Sequence, residues 1–161
     1  MRIAQVALSS YVVTPGVWRV DWAWGLPLIM LTVVIHVLGL GFIYKRVIEV
    51  FRRKSGLHPT AWFAVIMSTM ILAATCLHGV EAGAWAVCYQ FLGARPDFKS
   101  AMLYSLGAMT TYGNAGVSLE DHWRLMGAIE ALSGWLLFGL SAAFLFATIQ
   151  KCHQLETRDT L

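Results

Sequence analysis

The chain has 161 residues, of which 58% are hydrophobic and only 13% charged, and its mean hydropathy is +0.63. A soluble domain carries about 25% charged residues, so this composition excludes a soluble fold, a secreted disulfide scaffold, a disordered tail and a nucleic-acid-binding module. The net charge of +3 is small. Three scattered cysteines, Cys76, Cys88 and Cys152, predict neither a disulfide framework nor a zinc site.

Stretches without Asp, Glu, Lys or Arg indicate the candidate membrane spans. Four of them reach the length of about 18 residues that a membrane helix needs, and they cover residues 22–44, 55–80, 100–119 and 131–150. The first predicts a transmembrane helix over residues 22–44, with Trp22, Trp24 and Tyr44 as aromatic anchors at the membrane surfaces. Pro27 is then expected in the first turn, where a helix tolerates proline.

The second stretch joins a shorter one to form an apolar segment over residues 60–94, interrupted by His78 and Glu81. A helix of this length measures roughly 50 Å, whereas the hydrocarbon core of a membrane is about 30 Å thick. We therefore expect this helix to tilt steeply, to break near Gly79 or Gly83, or to project beyond the membrane.

The fourth stretch belongs to a helix predicted over residues 122–150, whose small residues suit close packing of helices. These small residues are Gly127, Gly134, Gly139, Ser141, Ala142 and Ala143. The loop over residues 45–59 is basic, with Lys45, Arg46, Arg52, Arg53 and Lys54. The positive-inside rule places this loop in the cytoplasm and the N-terminal segment 1–21 outside.

The third stretch is unlike a membrane helix in its second half, which is rich in residues that favour irregular backbone. These residues are Thr110, Thr111, Gly113, Asn114 and Gly116. Each unpaired N–H or C=O group costs several kcal/mol in lipid, so the segment 97–116 is predicted to re-enter the membrane. It would form a short helix from near Asp97 to about Met109 and return to the same side. The tail over residues 151–161 is then cytoplasmic.

One part of the chain resembles the pore signature of the potassium-channel superfamily: the run Tyr104-Ser-Leu-Gly-Ala-Met-Thr-Thr-Tyr-Gly-Asn114. In that family a pore helix ends in Thr-Thr and Val-Gly-Tyr-Gly-Asp follows. Residues 123–147 look like the inner helix of its small bacterial two-helix members, and residues 78–94 resemble their outer helix. The resemblance implies a pore domain over residues 60–150, composed of an outer helix 60–94, a pore helix and filter 97–116, and an inner helix 122–150. The helix over residues 22–44 would be an addition to this core.

In such pores, rings of backbone carbonyls replace the hydration shell of the ion. The resemblance implies that the filter consists of Thr110, Thr111, Tyr112, Gly113 and Asn114. Aligned without gaps, the chain keeps the Thr and the first Gly of the family's filter. In an alternative alignment, in which this chain lacks two residues of the family's filter, Tyr112-Gly113 matches the family's Tyr-Gly. Either way the carbonyl ladder is incomplete, so the resemblance implies a pore for monovalent cations (potassium, with sodium as the alternative) but not potassium selectivity.

Several residues around this filter have expected roles. Glu120 and Asp121 are placed at the outer mouth, where they attract cations, cap the last helix, or do both. His78, Glu81 and Glu130 fall near filter depth, where they form either a network that holds the filter or ordinary hydrogen bonds between helices. The resemblance implies a cavity or gate at Gly134, Leu137, Phe138, Gly139 and Ala142, with the glycines acting as hinges or as packing positions.

No metal site other than that of the permeant ions is predicted. A His-x-x-Glu pair also occurs in di-iron bundles, but those sites need two such motifs and further carboxylates. The chain has the single pair His78 and Glu81, and the lone His36 is interpreted as a packing residue.

The sequence therefore predicts an all-α membrane protein with three transmembrane helices and a re-entrant pore helix. Because one copy cannot enclose a pore, a fourfold-symmetric homotetramer is expected, with membrane lipid as the other partner and no nucleic acid or soluble substrate. The implied function is passive cation conduction in a cell membrane, a bacterial inner membrane by the resemblance, without enzymatic activity or a cofactor. The alternatives are a non-selective cation channel with a shortened filter and a non-conducting scaffold or partner-binding protein.

Overall fold

The computed structural model describes residues 15–52, 58–110, 112–113, 118–119 and 121–159. This part of the chain forms four α-helices, and no β-strand occurs in it. The helices are α1 (Pro15–Phe51), α2 (Pro59–Phe91), α3 (Phe98–Met109) and α4 (Arg124–Asp159), and a single 3-10 turn over Asp121–Trp123 precedes α4.

Three of the helices are long and apolar enough to cross a membrane, over Trp18–Phe51, Thr60–Phe91 and Arg124–Gln154. Their surfaces carry large exposed apolar side chains such as Leu38 and Trp135. Exposed apolar patches on this scale suit contact with lipid or with other protein chains rather than with water. For the described residues, the predictions of an all-α fold and of three helices long and apolar enough to span a membrane are confirmed.

The helices differ from their predicted limits in three ways. Because α1 begins at Pro15, Pro27 lies in its interior, and the prediction that Pro27 occupies the first turn was wrong. Membrane helices tolerate such a proline when local adjustments or neighbouring groups satisfy the freed carbonyl. Helix α2 continues through Gly79 and Gly83 without a break. Of the three expected alternatives, tilt and projection beyond the membrane therefore remain for its length of roughly 50 Å. Helix α4 continues to Asp159, beyond the predicted end.

Helix α1 packs against both α2 and α4, and α3 packs against the same two helices, whereas α2 and α4 contact each other little. The main core lies between α2, α3 and α4, around the fully buried side chains of Trp85, Tyr89 and Met126. A second core, around Val47, Ile66 and Met70, joins α1 to the first half of α2. These contacts make α1 part of the packed unit.

The chain turns sharply between α2 and α3. Gly93 adopts a φ of 71°, which glycine reaches without steric cost, and the N–H of Ala94 donates to the carbonyl of Tyr89 at 2.9 Å. Asp97 then caps α3, because its carboxylate accepts hydrogen bonds from the backbone N–H and the hydroxyl of Ser100 at 2.9 and 2.8 Å. The helix therefore begins at the residue that the sequence indicated.

The far end of α3 lies against α4 at close range. A Cβ atom added to Gly134 would lie 2.8 Å from both the Cα and the carbonyl oxygen of Met109. Met109 and Leu137 are buried together with Ala82 of α2 in a third small core. Gly134 lies ten residues inside α4, about 15 Å from its first residue. Helix α3 therefore reaches far along the long helices before it ends.

We expect Gly134→Ala to destabilise the protein by about 1–3 kcal/mol, since the added methyl group would push against backbone atoms that cannot rotate away. Gly139→Ala is the matched control on the same helix, because nothing lies within 4 Å of a Cβ at Gly139. Thermal unfolding in detergent, followed by tryptophan fluorescence, measures both. Equal melting temperatures for the two variants would contradict the close contact.

The cap of α3 predicts a dependence of stability on pH. The hydrogen bond from the Ser100 backbone N–H is the main reason that the pKa of Asp97 lies below its ordinary value of 3.8. Since the folded-state pKa is lowered, the stabilisation is complete above pH 3.8 and is lost as the pH falls through the folded-state pKa. The melting temperature of Asp97→Ala should therefore lie below that of the wild type at pH 6, and the difference should shrink below pH 3.8. A constant difference across this range would refute the cap as its cause.

Candidate functional site

Three carboxyl groups are buried in the described part of the chain: that of Asp21 near the start of α1, and those of Glu81 on α2 and Glu130 on α4, which are completely buried. A buried carboxyl group needs hydrogen-bond partners, because its removal from water is costly. The structure places polar side chains beside Glu81 and Glu130 in two separate clusters, and each cluster draws its side chains from more than one helix.

The first, which we call the histidine cluster, consists of His36 on α1, His78 and Glu81 on α2, and Ser141 on α4. His36 Nδ1 lies 2.7 Å from Glu81 Oε1, and His78 Nδ1 lies 3.0 Å from Glu81 Oε2. Ser141 Oγ lies 3.1 Å from His36 Nε2 and 3.0 Å from His78 Nε2. The four side chains thus form a closed ring that joins three membrane-spanning helices.

Sequence spacing explains one side of this ring. His78 and Glu81 are three residues apart and therefore share a face of α2. His36 is brought to them by the packing of α1 on α2, which is close: a Cβ added to Gly39 would lie 2.7 Å from the side chain of Leu77. The His36 and His78 rings are 5.0 Å apart between centroids. The carboxylate therefore lies between two imidazoles.

The second, which we call the Glu130 cluster, consists of Tyr89 on α2, Ser105 on α3 and Glu130 on α4. The Tyr89 hydroxyl donates to Glu130 Oε2 at 2.7 Å. Ser105 Oγ forms hydrogen bonds with Glu130 Oε1 and, at 2.8 Å, with the carbonyl oxygen of Ala82. This cluster ties α3 to both of its neighbours at the middle of its length.

A count of hydrogens indicates the form of Glu130 that fits this cluster. The Ser105 hydroxyl has one hydrogen but two acceptor groups beside it, the Ala82 carbonyl and the Glu130 carboxyl. Both contacts are satisfied when Ser105 donates to Ala82 and a protonated Glu130 donates to Ser105. The second oxygen of the carboxyl then accepts from Tyr89.

The structure places the predicted behind-filter residues in two groups rather than one. His78 and Glu81 belong to the histidine cluster, and Glu130 belongs to the other cluster. The two clusters are nevertheless adjacent on α2, since Ser105 bonds to the carbonyl of Ala82, the residue that follows Glu81. Helix α2 is thus the element that the two clusters share.

The segment after α3 contains the predicted filter residues, of which the structure describes Thr110, Tyr112 and Gly113. Thr110 ends the helix, and its hydroxyl donates to the carbonyl of Leu106 at 2.6 Å. Gly113 has a φ of 84°, and its N–H donates to the carbonyl of Gly107 at 3.3 Å. The side chain of Tyr112 is 88% exposed.

Three of the predicted filter and mouth residues lie outside the described residues: Thr111, Asn114 and Glu120. Asp121 lies in the 3-10 turn before α4. Nearby, the guanidinium of Arg95 donates to the carbonyl of Ser118 at 2.7 Å. This bond joins the chain just before α3 to the chain just before α4.

The predicted cavity and gate residues divide into two sets. Gly134 and Leu137 pack inside the chain, against Met109 of α3. Phe138, Gly139 and Ala142 are exposed on α4, and the ring of Phe138 stacks on His78 with a centroid distance of 4.3 Å. Within one chain, Leu137 is therefore a packing residue rather than part of an exposed lining.

Sequence reasoning missed four members of the clusters: His36, Tyr89, Ser105 and Ser141. It treated His36 as a packing residue and Ser141 as one small residue among several, whereas both are hydrogen-bonded in the histidine cluster. The signal available was the position of each polar side chain well inside an apolar stretch. That signal marks candidates but does not tell which of them face one another.

Comparisons of this chain with protein-family models, with curated proteins and with solved structures gave no match. The geometry of the site and the sequence itself therefore carry the functional argument.

The hydrogen count predicts how substitutions at Glu130 behave. In Glu130→Gln the amide group reproduces the protonated carboxyl, with NH₂ donating to Ser105 and the oxygen accepting from Tyr89, so stability should stay within about 1 kcal/mol. Glu130→Leu leaves the Tyr89 hydroxyl buried without its acceptor and should cost about 1–3 kcal/mol. Urea or thermal unfolding in detergent measures both. A Gln variant as unstable as the Leu variant would contradict the protonated form.

Proposed function

We propose that the chain is one subunit of a homotetrameric cation channel, in which α3 is a re-entrant pore helix and the segment after it lines the ion path. The contact between Met109 and Gly134 carries this proposal, because it sets the end of α3 well inside the span of α4. The bond between Arg95 and Ser118 supports it, since the chain then enters and leaves at the same end of the bundle.

The length of α3 agrees with this role. Its twelve residues measure roughly 18 Å, too short to cross a hydrocarbon core of about 30 Å. The C-terminal end of a helix carries a partial negative charge. Four such ends pointing toward one axis would attract cations into a cavity without any charged side chain.

The segment after α3 supports a path lined by backbone groups. Thr110 and Tyr112 belong to the run that resembles the potassium-channel signature, and Gly113 has a φ that other residues rarely adopt. A glycine in this conformation can turn its carbonyl in a direction opposite to that of the residue before it. Alternation of this kind is what a ring of inward-facing carbonyls requires.

The proposed oligomer is supported by a geometric requirement. One chain supplies one pore helix and one irregular segment, which cannot surround an ion. Exposed apolar side chains on α4, among them Trp135 and Leu136, offer surface for neighbouring copies as well as for lipid. The departure of the filter from the family's sequence favours weak selectivity, so a non-selective cation channel is the second form of the proposal.

The test is ion flux through purified protein in liposomes. We expect flux of potassium and no flux of N-methyl-glucamine, and the ratio of potassium to sodium flux decides between a selective and a non-selective pore. Gly113→Ala should reduce the flux at least tenfold, because alanine in the left-handed region costs about 1–2 kcal/mol in each subunit.

Gly79→Ala is the matched control, since Gly79 lies in α2 and a Cβ there meets nothing within 4 Å. It should conduct as the wild type does. Absence of flux under every gradient, with the tetramer intact by size-exclusion chromatography, would refute the channel and favour the scaffold. Unchanged flux in Gly113→Ala would refute the assignment of the filter.

A further inference from the structure

We propose that the histidine cluster is a binding site for a divalent transition-metal ion of the zinc type, with His36, His78 and Glu81 as ligands and Ser141 as the residue that orients both imidazoles. The proposal is independent of ion conduction, since it concerns a site between helices within one chain.

The donor atoms are already close enough to share one ion. One ligand atom from each of His36, His78 and Glu81 can be chosen so that all three lie within 4.8 Å of one another. Ligands about 2.0–2.1 Å from a tetrahedral zinc ion lie roughly 3.3 Å apart. Small rotations of the three side chains would therefore suffice, without movement of the helices.

Two buried atoms in the cluster lack a hydrogen bond in the described part of the chain. His78 Nδ1 and Glu81 Oε2 lie 3.0 Å apart, but they do not form a hydrogen bond with each other or with another described group. An unsatisfied polar atom in an apolar interior costs about 1–3 kcal/mol. A cation placed between these two atoms would satisfy both, because nitrogen and carboxylate oxygen are ligands that zinc accepts.

The number of hydrogens available for the contacts of the ring also suits a bound ion. If both neutral imidazoles donate from Nδ1 to Glu81, both Nε2 atoms need a donor, and the Ser141 hydroxyl has only one hydrogen. Without a metal, a further proton, on a histidine or on Glu81, must then complete the ring. If both Nδ1 atoms bind a metal, both Nε2 atoms carry hydrogen, and the two lone pairs of Ser141 Oγ accept from both. Ser141 would then fix the ring orientation in the way that outer-shell partners of metal-bound histidines do.

The ligand set matches a known type of site. Two histidines and one glutamate, with a fourth position left open, bind zinc in several enzymes. The cluster also has an open side. The imidazole of His78 is 12% exposed, whereas the side chains of His36 and Glu81 are fully buried. An ion would therefore arrive past His78, beside the stacked ring of Phe138.

The experiment uses the full-length protein in detergent, stripped with a chelator and then titrated with Zn²⁺ by calorimetry. We expect one ion per chain and a higher melting temperature in the presence of Zn²⁺, since a ligand that binds the folded state stabilises it. Co²⁺ in place of Zn²⁺ should give the visible absorption of a tetrahedral site. Both readouts need only the wild-type protein.

Variants locate the site. His78→Gln and Glu81→Gln should each weaken Zn²⁺ binding at least a hundredfold, and Ser141→Ala should weaken it about 10–100-fold, as loss of an outer-shell partner does. His58→Ala, at an exposed histidine before α2, and Glu130→Gln, at the buried carboxyl of the Glu130 cluster, are the controls and should bind as the wild type does.

Two results would overturn the proposal. One is a wild-type protein that binds no Zn²⁺ and gives no tetrahedral Co²⁺ spectrum. In that case an extra proton, rather than a metal ion, would complete the ring. The other is binding that survives in folded His78→Gln and Glu81→Gln, or that is lost in His58→Ala, since the ion would then sit elsewhere. Size-exclusion chromatography confirms that each variant is folded before titration.

Discussion

The hydrogen bond between Ser105 and Glu130 is the contact on which the placement of α3 depends. A helix of twelve residues is marginal by itself. Direct polar contacts inside the bundle give α3 a fixed depth and rotation, because Ser105 must meet both the Glu130 carboxyl and the Ala82 carbonyl. The glycine at position 134 then allows the end of the helix to approach α4 closely.

The two polar clusters connect different sets of helices in the bundle. The histidine cluster joins α1, α2 and α4, and the Glu130 cluster joins α2, α3 and α4. They meet on α2, where the Glu81 side chain serves one cluster and the Ala82 carbonyl serves the other. A shift of α2 along its axis would therefore disturb both clusters at once. In an apolar medium such directional bonds specify register more sharply than apolar contact alone.

Much of the fold could be predicted because it follows from local signals. Charge-free stretches mark the long helices, and the limits of α3 follow from an N-cap aspartate and a glycine-rich continuation after Met109. The site could be predicted only in part. Spacing along one helix pairs His78 with Glu81, but the partnership with His36 and Ser141 depends on the rotation and depth of α1 and α4. No pattern within a single helix contains that information, and Pro27 shows the same limit, since its place in α1 depends on where the helix begins.

The packing of α1 limits how far this chain could be shortened from its N-terminal side. Helices α2 and α4 contact each other little and are bridged by α1 on one side and by α3 on the other. Removal of α1 would take His36 from Glu81, would remove the side chain of Leu28 from the main core, and would uncover the second core, to which Val47 belongs. The first helix is therefore an integral part of the fold of this chain rather than a detachable extension. A derivative of this chain without α1 would need a different residue at position 81, because the carboxylate there would have lost one of its two imidazole partners.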